Sequence, residues 1–210
     1  METDNPFDSP IDLPWPRKGD VLFDGGADDW YHNACLNSRY DNWEMYAAGY
    51  KLAGDILVQH IIDKRDDRDT LVFPIVFNYR QYLELRCKEI IMVGRILADE
   101  AAEFPKTHDI QRLWTICRAI VADGEPSASD ADLEAIDEAI AQFCAVDPRS
   151  ESFRYPVDRE GNSSLPETLH VINLRNLRDV INRVGSFFDG VSMAFSAYMD
   201  YKADMQSAYW

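Results

Sequence analysis

The sequence predicts an all-α protein: an up-and-down bundle of four to five helices, with an irregular N-terminal arm and a long loop before the last helix. Three observations lead there. Beyond residue 41, apolar residues recur at three- and four-residue steps, the spacing of one helical face. No stretch alternates apolar and polar residues over the length of a strand. Helix breakers gather in a few places instead of recurring at the short regular intervals of a β-fold.

Residues 1–40 make the arm and residues 41–205 the bundle domain. The arm holds Pro6, Pro10, Pro14 and Pro16, a glycine pair at Gly25 and Gly26, and the aromatics Phe7, Trp15, Phe23 and Trp30. Disorder usually goes with few aromatics, so the arm is expected to pack these rings on the domain without long elements. A first helix is expected over 41–64, with Trp43, Tyr46, Tyr50, Ala53, Leu57, His60 and Ile61 inward. The charged run DKRDDRD, 63–69, then reads as a solvated turn. A second, longer helix is expected over 70–103, carrying Leu71, Ile75, Tyr79, Tyr82, Leu83, Ile90, Val93 and Leu97 on one face, with Pro74 in its first turn. A third runs over 109–122 with Ile110, Leu113, Trp114, Cys117 and Val121 inward, and Thr107 or Asp109 is placed to cap it. GEPSAS, 124–129, breaks the chain. A fourth helix follows over 130–143, its acid-rich first turn matching the helix dipole. Residues 147–166 hold three prolines and no helical period, so they form a loop. Loops of that length in compact domains usually carry function or motion. Residues 167–205 complete the bundle as one helix or a pair, with Gly185 and Gly190 available to bend or divide it.

At 210 residues and 46% apolar content, the chain is long enough to bury one substantial core. No apolar run is long enough to span a bilayer, and METDNPFDSP is acidic where a secretory leader needs basic residues, so a cytoplasmic protein without membrane contact is expected. Cys35, Cys87, Cys117 and Cys144 lie too far apart to pair as CxxC ligands. Three of them fall on apolar faces, as reduced structural thiols do. No histidine has a second ligand at metal spacing, so neither a metal site nor a cofactor is expected. A net charge of −16 argues against nucleic acid as partner, yet most of the excess lies in 1–30 and 119–148. The segments 80–118 and 149–183 each carry one more base than acid, which leaves room for a local basic cleft.

Three strings together carry a family resemblance: YRQYLELRCKEIIMVGRIL on the long helix, THDIQRLW at the start of the third, and FRYPVDREG before the last. The layout over residues 41–200 resembles the HEPN superfamily (higher eukaryotes and prokaryotes nucleotide-binding), with His108, Asp109 and Ile110 where members place a histidine-aspartate-leucine turn. The resemblance implies a helical bundle that pairs as a homodimer and works in prokaryotic defence or stress. Active ribonucleases of the family carry an arginine, four to six residues, then a histidine near the start of the last long helix. Here Arg175 and Asn176 fit the beginning of that motif, but Asn182 stands where the histidine would be. Histidine exchanges a proton near neutral pH and asparagine does not. Arg175 retains its fork of donors for a phosphate, so binding is expected to survive where cutting does not.

Among other candidates, His108 and Asp109 read as an acid/base pair or, more simply, as a helix cap. Arg154, between Phe153 and Tyr155, could clamp a phosphate or stack a base. The plainer reading has the rings pin the loop while Arg154 pairs with an acid such as Glu84. Arg80, Glu84 and Lys88, four apart, share one helix face, normally a solvated one whose ion pairs are worth about 0.2–0.5 kcal/mol each. His60 and His170 read as core or boundary histidines. Tyr198, Tyr201, Tyr209 and Trp210 are either a partner-binding tail or packed. The ligand-binding set is therefore Arg80, Lys88, Arg154, Tyr155, Arg175, Asn176 and Asn182. Three functions compete: a non-catalytic HEPN-like protein binding RNA, a nucleotide or a partner protein; a metal-independent ribonuclease or nucleotide-handling enzyme using Arg154, Tyr155, Glu84, His108 and Arg175; and a structural adaptor or homodimeric scaffold.

Overall fold

The computed structural model describes residues 15–25, 29–36 and 43–208. The chain divides into two compact units, 1–41 and 42–210. In the first, the described residues form one 3₁₀ turn, Trp30–His32, where Trp30 and Tyr31 stack at 4.0 Å. Trp15, Phe23 and Trp30 are exposed rather than buried, and Phe7 lies outside the described residues.

The second unit is an all-α bundle of α1 (Trp43–Lys64), α2 (Arg68–Leu97), α3 (Ile110–Gly124), α4 (Asp130–Val146) and α5 (Leu174–Ala208). Among the described residues, extended pairing is limited to one isolated bridge, Val157 to Ser163. The central helix is α2, packed by α1, α3 and α5. Its Ile75, Tyr79, Leu83, Cys87 and Ile91 are fully buried against Leu113, Trp114 and Cys117 of α3 and Phe188 of α5. Each such side chain contributes on the order of 1.5–3 kcal/mol through removal from water.

Several expectations are corrected, each for a packing reason. Helix α1 buries Ala47, Gly54 and Val58, while Tyr46 and His60 face solvent. Tyr50, Leu57 and Ile61 pack against the core as expected, but the closest contact falls at Gly54, where a Cβ would sit 2.6 Å from the Tyr79 ring, which selects small residues there. Because α2 begins at Arg68, Pro74 lies inside the helix rather than in its first turn. The chain leaves α2 at Leu97, not 103, through Asp99 in the left-handed region (φ 60°). Residues 98–109 then double back along α2, where Phe104 meets the Trp43 ring edge-on at 4.7 Å. Both expected residues act at the α3 start: Asp109 accepts from the Arg112 N–H and Thr107 Oγ1 accepts from the Asp109 N–H. Helix α4 opens on a capping box of Ser129 and Asp132.

Helix α5 begins at Leu174 rather than 167, and the preceding loop extends to residue 173. Asn173 starts it, its Oδ1 accepting the Asn176 N–H at 3.0 Å. Gly185 does not divide the helix. A Cβ there would lie 2.9 Å from the Tyr82 hydroxyl, so the glycine permits close approach to α2. Cys87, Cys117 and Cys144 are free thiols, the first two buried, and Cys35 is free and exposed. Among the described residues, no helix is long and apolar enough to cross a membrane.

Candidate functional site

The row Arg80, Glu84 and Lys88 is not a solvated face. Arg80 is fully buried, Glu84 and Lys88 nearly so, because the returning segment 98–109 and α3 cover this side of α2. Glu84 Oε2 accepts from Arg80 at 3.2 Å, and Oε1 accepts from Lys88 Nζ at 2.8 Å and meets His108 Nδ1 at 2.9 Å. Arg80 also donates to the His108 carbonyl, and the Lys88 ammonium lies over the Phe104 ring. Burial alone would raise the Glu84 carboxyl, but hydrogen bonds and charge from Lys88, His108 and Arg80 outweigh it and hold the group below its ordinary value. Glu84 is thus a carboxylate at neutral pH, ill placed to act as an acid. The cluster fastens 98–109 to α2 and leaves Arg80 and Lys88 no reach to a ligand. The ring of His108 is largely exposed beside a hollow of about 480 Å³ lined by Arg149 and Cys144.

Arg154 does not pair with Glu84. Its guanidinium lies over Tyr155, 5.1 Å from the ring centroid, and 5.8 Å from that of Phe77 on α2. It donates to the Tyr155 hydroxyl at 3.1 Å and the Ser150 carbonyl at 3.4 Å, while Arg159 pairs with Glu151. Arg154 over Phe77 and Phe153 beside Phe73 hold the loop on α2, while Tyr155 is half exposed and does not pin it as expected. Glu84 with His108, and Arg154 with Tyr155, are therefore two separate groups that share no hydrogen-bond partner among the described residues.

Asn182 is also committed. Its Oδ1 accepts from Lys51 Nζ at 2.7 Å; Lys51 also donates to Asp55, whose other oxygen accepts from the buried Tyr79 hydroxyl at 2.8 Å. The chain of bonds ties α5, α1 and α2 together. Burial, then the Asp55 contact, pushes the Tyr79 phenol well above its ordinary value. Asn182 lines a shallow hollow with Arg178 and Gln59, apart from the cleft that holds Arg175.

That cleft, about 670 Å³, lies where the α1–α2 turn, the long loop and the start of α5 meet. Its apolar wall includes Val58, Ile61, Val72, Phe73, Phe153 and Ile172, and its rim carries Arg65, Arg68, Asp69, His170 and Arg175. Arg65 and Asp67 are left-handed (φ 59° and 61°), a conformation costing a non-glycine residue about 1 kcal/mol or more. It is held because the Arg65 N–H closes α1 on the Ile61 carbonyl while the Asp67 carbonyl opens α2 by accepting from Thr70 and Leu71. Among the described residues, the side chains of Arg65, Arg68 and Arg175 form no ion pair or hydrogen bond. Of the charged groups that line the hollow, three are guanidiniums and one is the Asp69 carboxylate; Asp66 and Asp67 of the same turn lie outside the lining. Phe73 is 42% exposed and offers its ring to the hollow, while Phe153 is mostly buried and 6.5 Å from it.

Sequence reasoning singled out Arg175, through the family resemblance, and the loop that supplies Phe153; Arg154 and Asn182, named with Arg175, do not line this cleft. It missed Arg65, Arg68 and Phe73, and discounted His170, which is exposed. The charged run DKRDDRD reads as a solvated turn, and only the fold carries it to residue 175. Among the described residues, no group of His, Cys, Asp and Glu could hold a metal ion. No protein-family model, no curated protein and no solved structure matches the chain.

Proposed function

We propose that this chain is a non-catalytic, HEPN-like helical protein that binds RNA or a nucleotide in the cleft between the α1–α2 turn, the long loop and the start of α5. One observation carries the reading: Arg65, Arg68 and Arg175 surround an apolar hollow without an acid partner among the described residues. Guanidinium forks match phosphate oxygens, and an aromatic wall accepts a base. The setting implied by the family resemblance is prokaryotic defence or stress. Binding without cutting is favoured because Asn182, at the family's histidine position, is held by Lys51 and cannot exchange a proton near neutral pH.

His170 favours a second reading, metal-independent cleavage of RNA, because it shares the cleft with Arg175. It has no hydrogen-bonding partner among the described residues to orient its ring as a general base, which ranks this reading second. A labelled single-stranded RNA, followed by fluorescence anisotropy in chelator, distinguishes them. The binding reading predicts intact RNA and about tenfold weaker binding for Arg175→Ala, the effect of one charged hydrogen-bond set. Cleavage abolished by His170→Ala would establish the second reading instead.

A further inference from the structure

Resting on that binding reading, we infer that the cleft selects a terminal phosphate, on a free nucleotide or on the end of an RNA, over a backbone phosphodiester. The charge of the rim argues for it. Arg65, Arg68 and Arg175 outnumber the one acid there, Asp69, by two, and none is neutralised within the described residues. A phosphomonoester at neutral pH carries close to two negative charges and three terminal oxygens, whereas a diester carries one charge and two free oxygens. The monoester matches the surplus among the lining residues and offers guanidiniums one more terminal oxygen than a diester does.

Size and surroundings agree. A cleft of about 670 Å³ suits one nucleotide-sized ligand. Proteins that hold a strand repeat aromatic rings along a groove, one per base, whereas this cleft has the single pair Phe73 and Phe153. The acidic remainder of the chain repels the many phosphates of a long strand more than it repels one terminal group. Leu174 and Arg175, the first two residues of α5, line the same cleft, and as first-turn residues their N–H groups have no acceptor within the helix itself.

Calorimetric titration of the intact chain at pH 7.5 tests this with adenosine 5′-monophosphate, adenosine 3′,5′-cyclic monophosphate, and one RNA hexamer bearing either a 5′-phosphate or a 5′-hydroxyl. The expected result is that the monophosphate binds at least about tenfold tighter than the cyclic diester, and the phosphorylated hexamer tighter than the hydroxyl form by a similar factor. Arg175→Ala should remove most of that preference. Arg183→Ala, an exposed arginine of α5 away from the cleft, should leave it unchanged. If the hexamer outranks the mononucleotide, RNA ends are the source; the reverse order assigns free nucleotide, and both uphold the inference. Equal affinity for monophosphate and cyclic diester overturns the selectivity while leaving the cleft a binding site. No binding by any probe, or binding indifferent to Arg175→Ala, overturns the binding reading itself.

Discussion

Replacing Glu84 with glutamine keeps the shape of the side chain and removes one negative charge from beneath two buried cations. Arg80 is fully buried, and Lys88 retains only 9% of its side-chain surface. Arginine cannot shed its proton, and the remaining Arg80 bond to the His108 carbonyl is to a neutral acceptor. Removing one partner from a buried ionic group costs about 3–5 kcal/mol, and a domain of this size loses about 2–4 °C of Tm per kcal/mol, so Tm should fall by roughly 6–20 °C. His108→Ala, which removes a largely exposed ring, should cost under about 1 kcal/mol. The pH dependence has a definite sign. The folded Glu84 carboxyl lies below its unfolded value, so its contribution is present above the unfolded pKa of about 4.3 and is lost as pH falls through the folded value. Glu89, raised by burial, acts in the opposite direction and is common to both proteins. The stability gap between wild type and Glu84→Gln should therefore narrow on acidification below about pH 4. Thermal unfolding followed by circular dichroism measures it. A shift below about 2 °C at neutral pH would show that Arg80 and Lys88 do not depend on Glu84 for neutralisation.

Helix contacts and thiols supply two further tests. Gly54→Ala forces a Cβ into the Tyr79 ring and should destabilise by about 1–3 kcal/mol, whereas Gly49→Ala, with nothing within 4 Å, should stabilise by about 0.5–1 kcal/mol; urea titration compares them. Under native conditions a thiol reagent should modify Cys35 rapidly and spare Cys87 and Cys117, both buried, with burial also pushing the Cys117 thiol upward; mass spectrometry reads the sites.

Legibility in the sequence followed the range of the interactions. The helices announced themselves through local periodicity, the start of α3 through the short side chain of Asp109, and that of α4 through the GEPSAS breaker and an acid-rich first turn. What failed was long-range. Arg80, Glu84 and Lys88 look like a solvent face on a helical wheel, and only the return of 98–109 buries them. Gly185 resembles a breaker until Tyr82 is seen against it. Arg65 and Arg68 sit among acids in the chain, but among the described residues neither forms an ion pair. The candidate cleft is thus half readable: the long loop from residue patterns, Arg175 from the family resemblance, the α1–α2 turn from the fold alone.

The most direct test of the binding account is the affinity of 5′-phosphorylated single-stranded RNA for the wild type and for the triple variant Arg65→Ala, Arg68→Ala, Arg175→Ala, measured side by side at low salt. All three side chains are exposed, so the variant should keep the wild-type circular dichroism and Tm. The account predicts a loss of affinity of at least about a hundredfold, since even non-additive removal of three charged contacts exceeds two tenfold steps. An intact, folded triple variant that binds the RNA as tightly as wild type would contradict it.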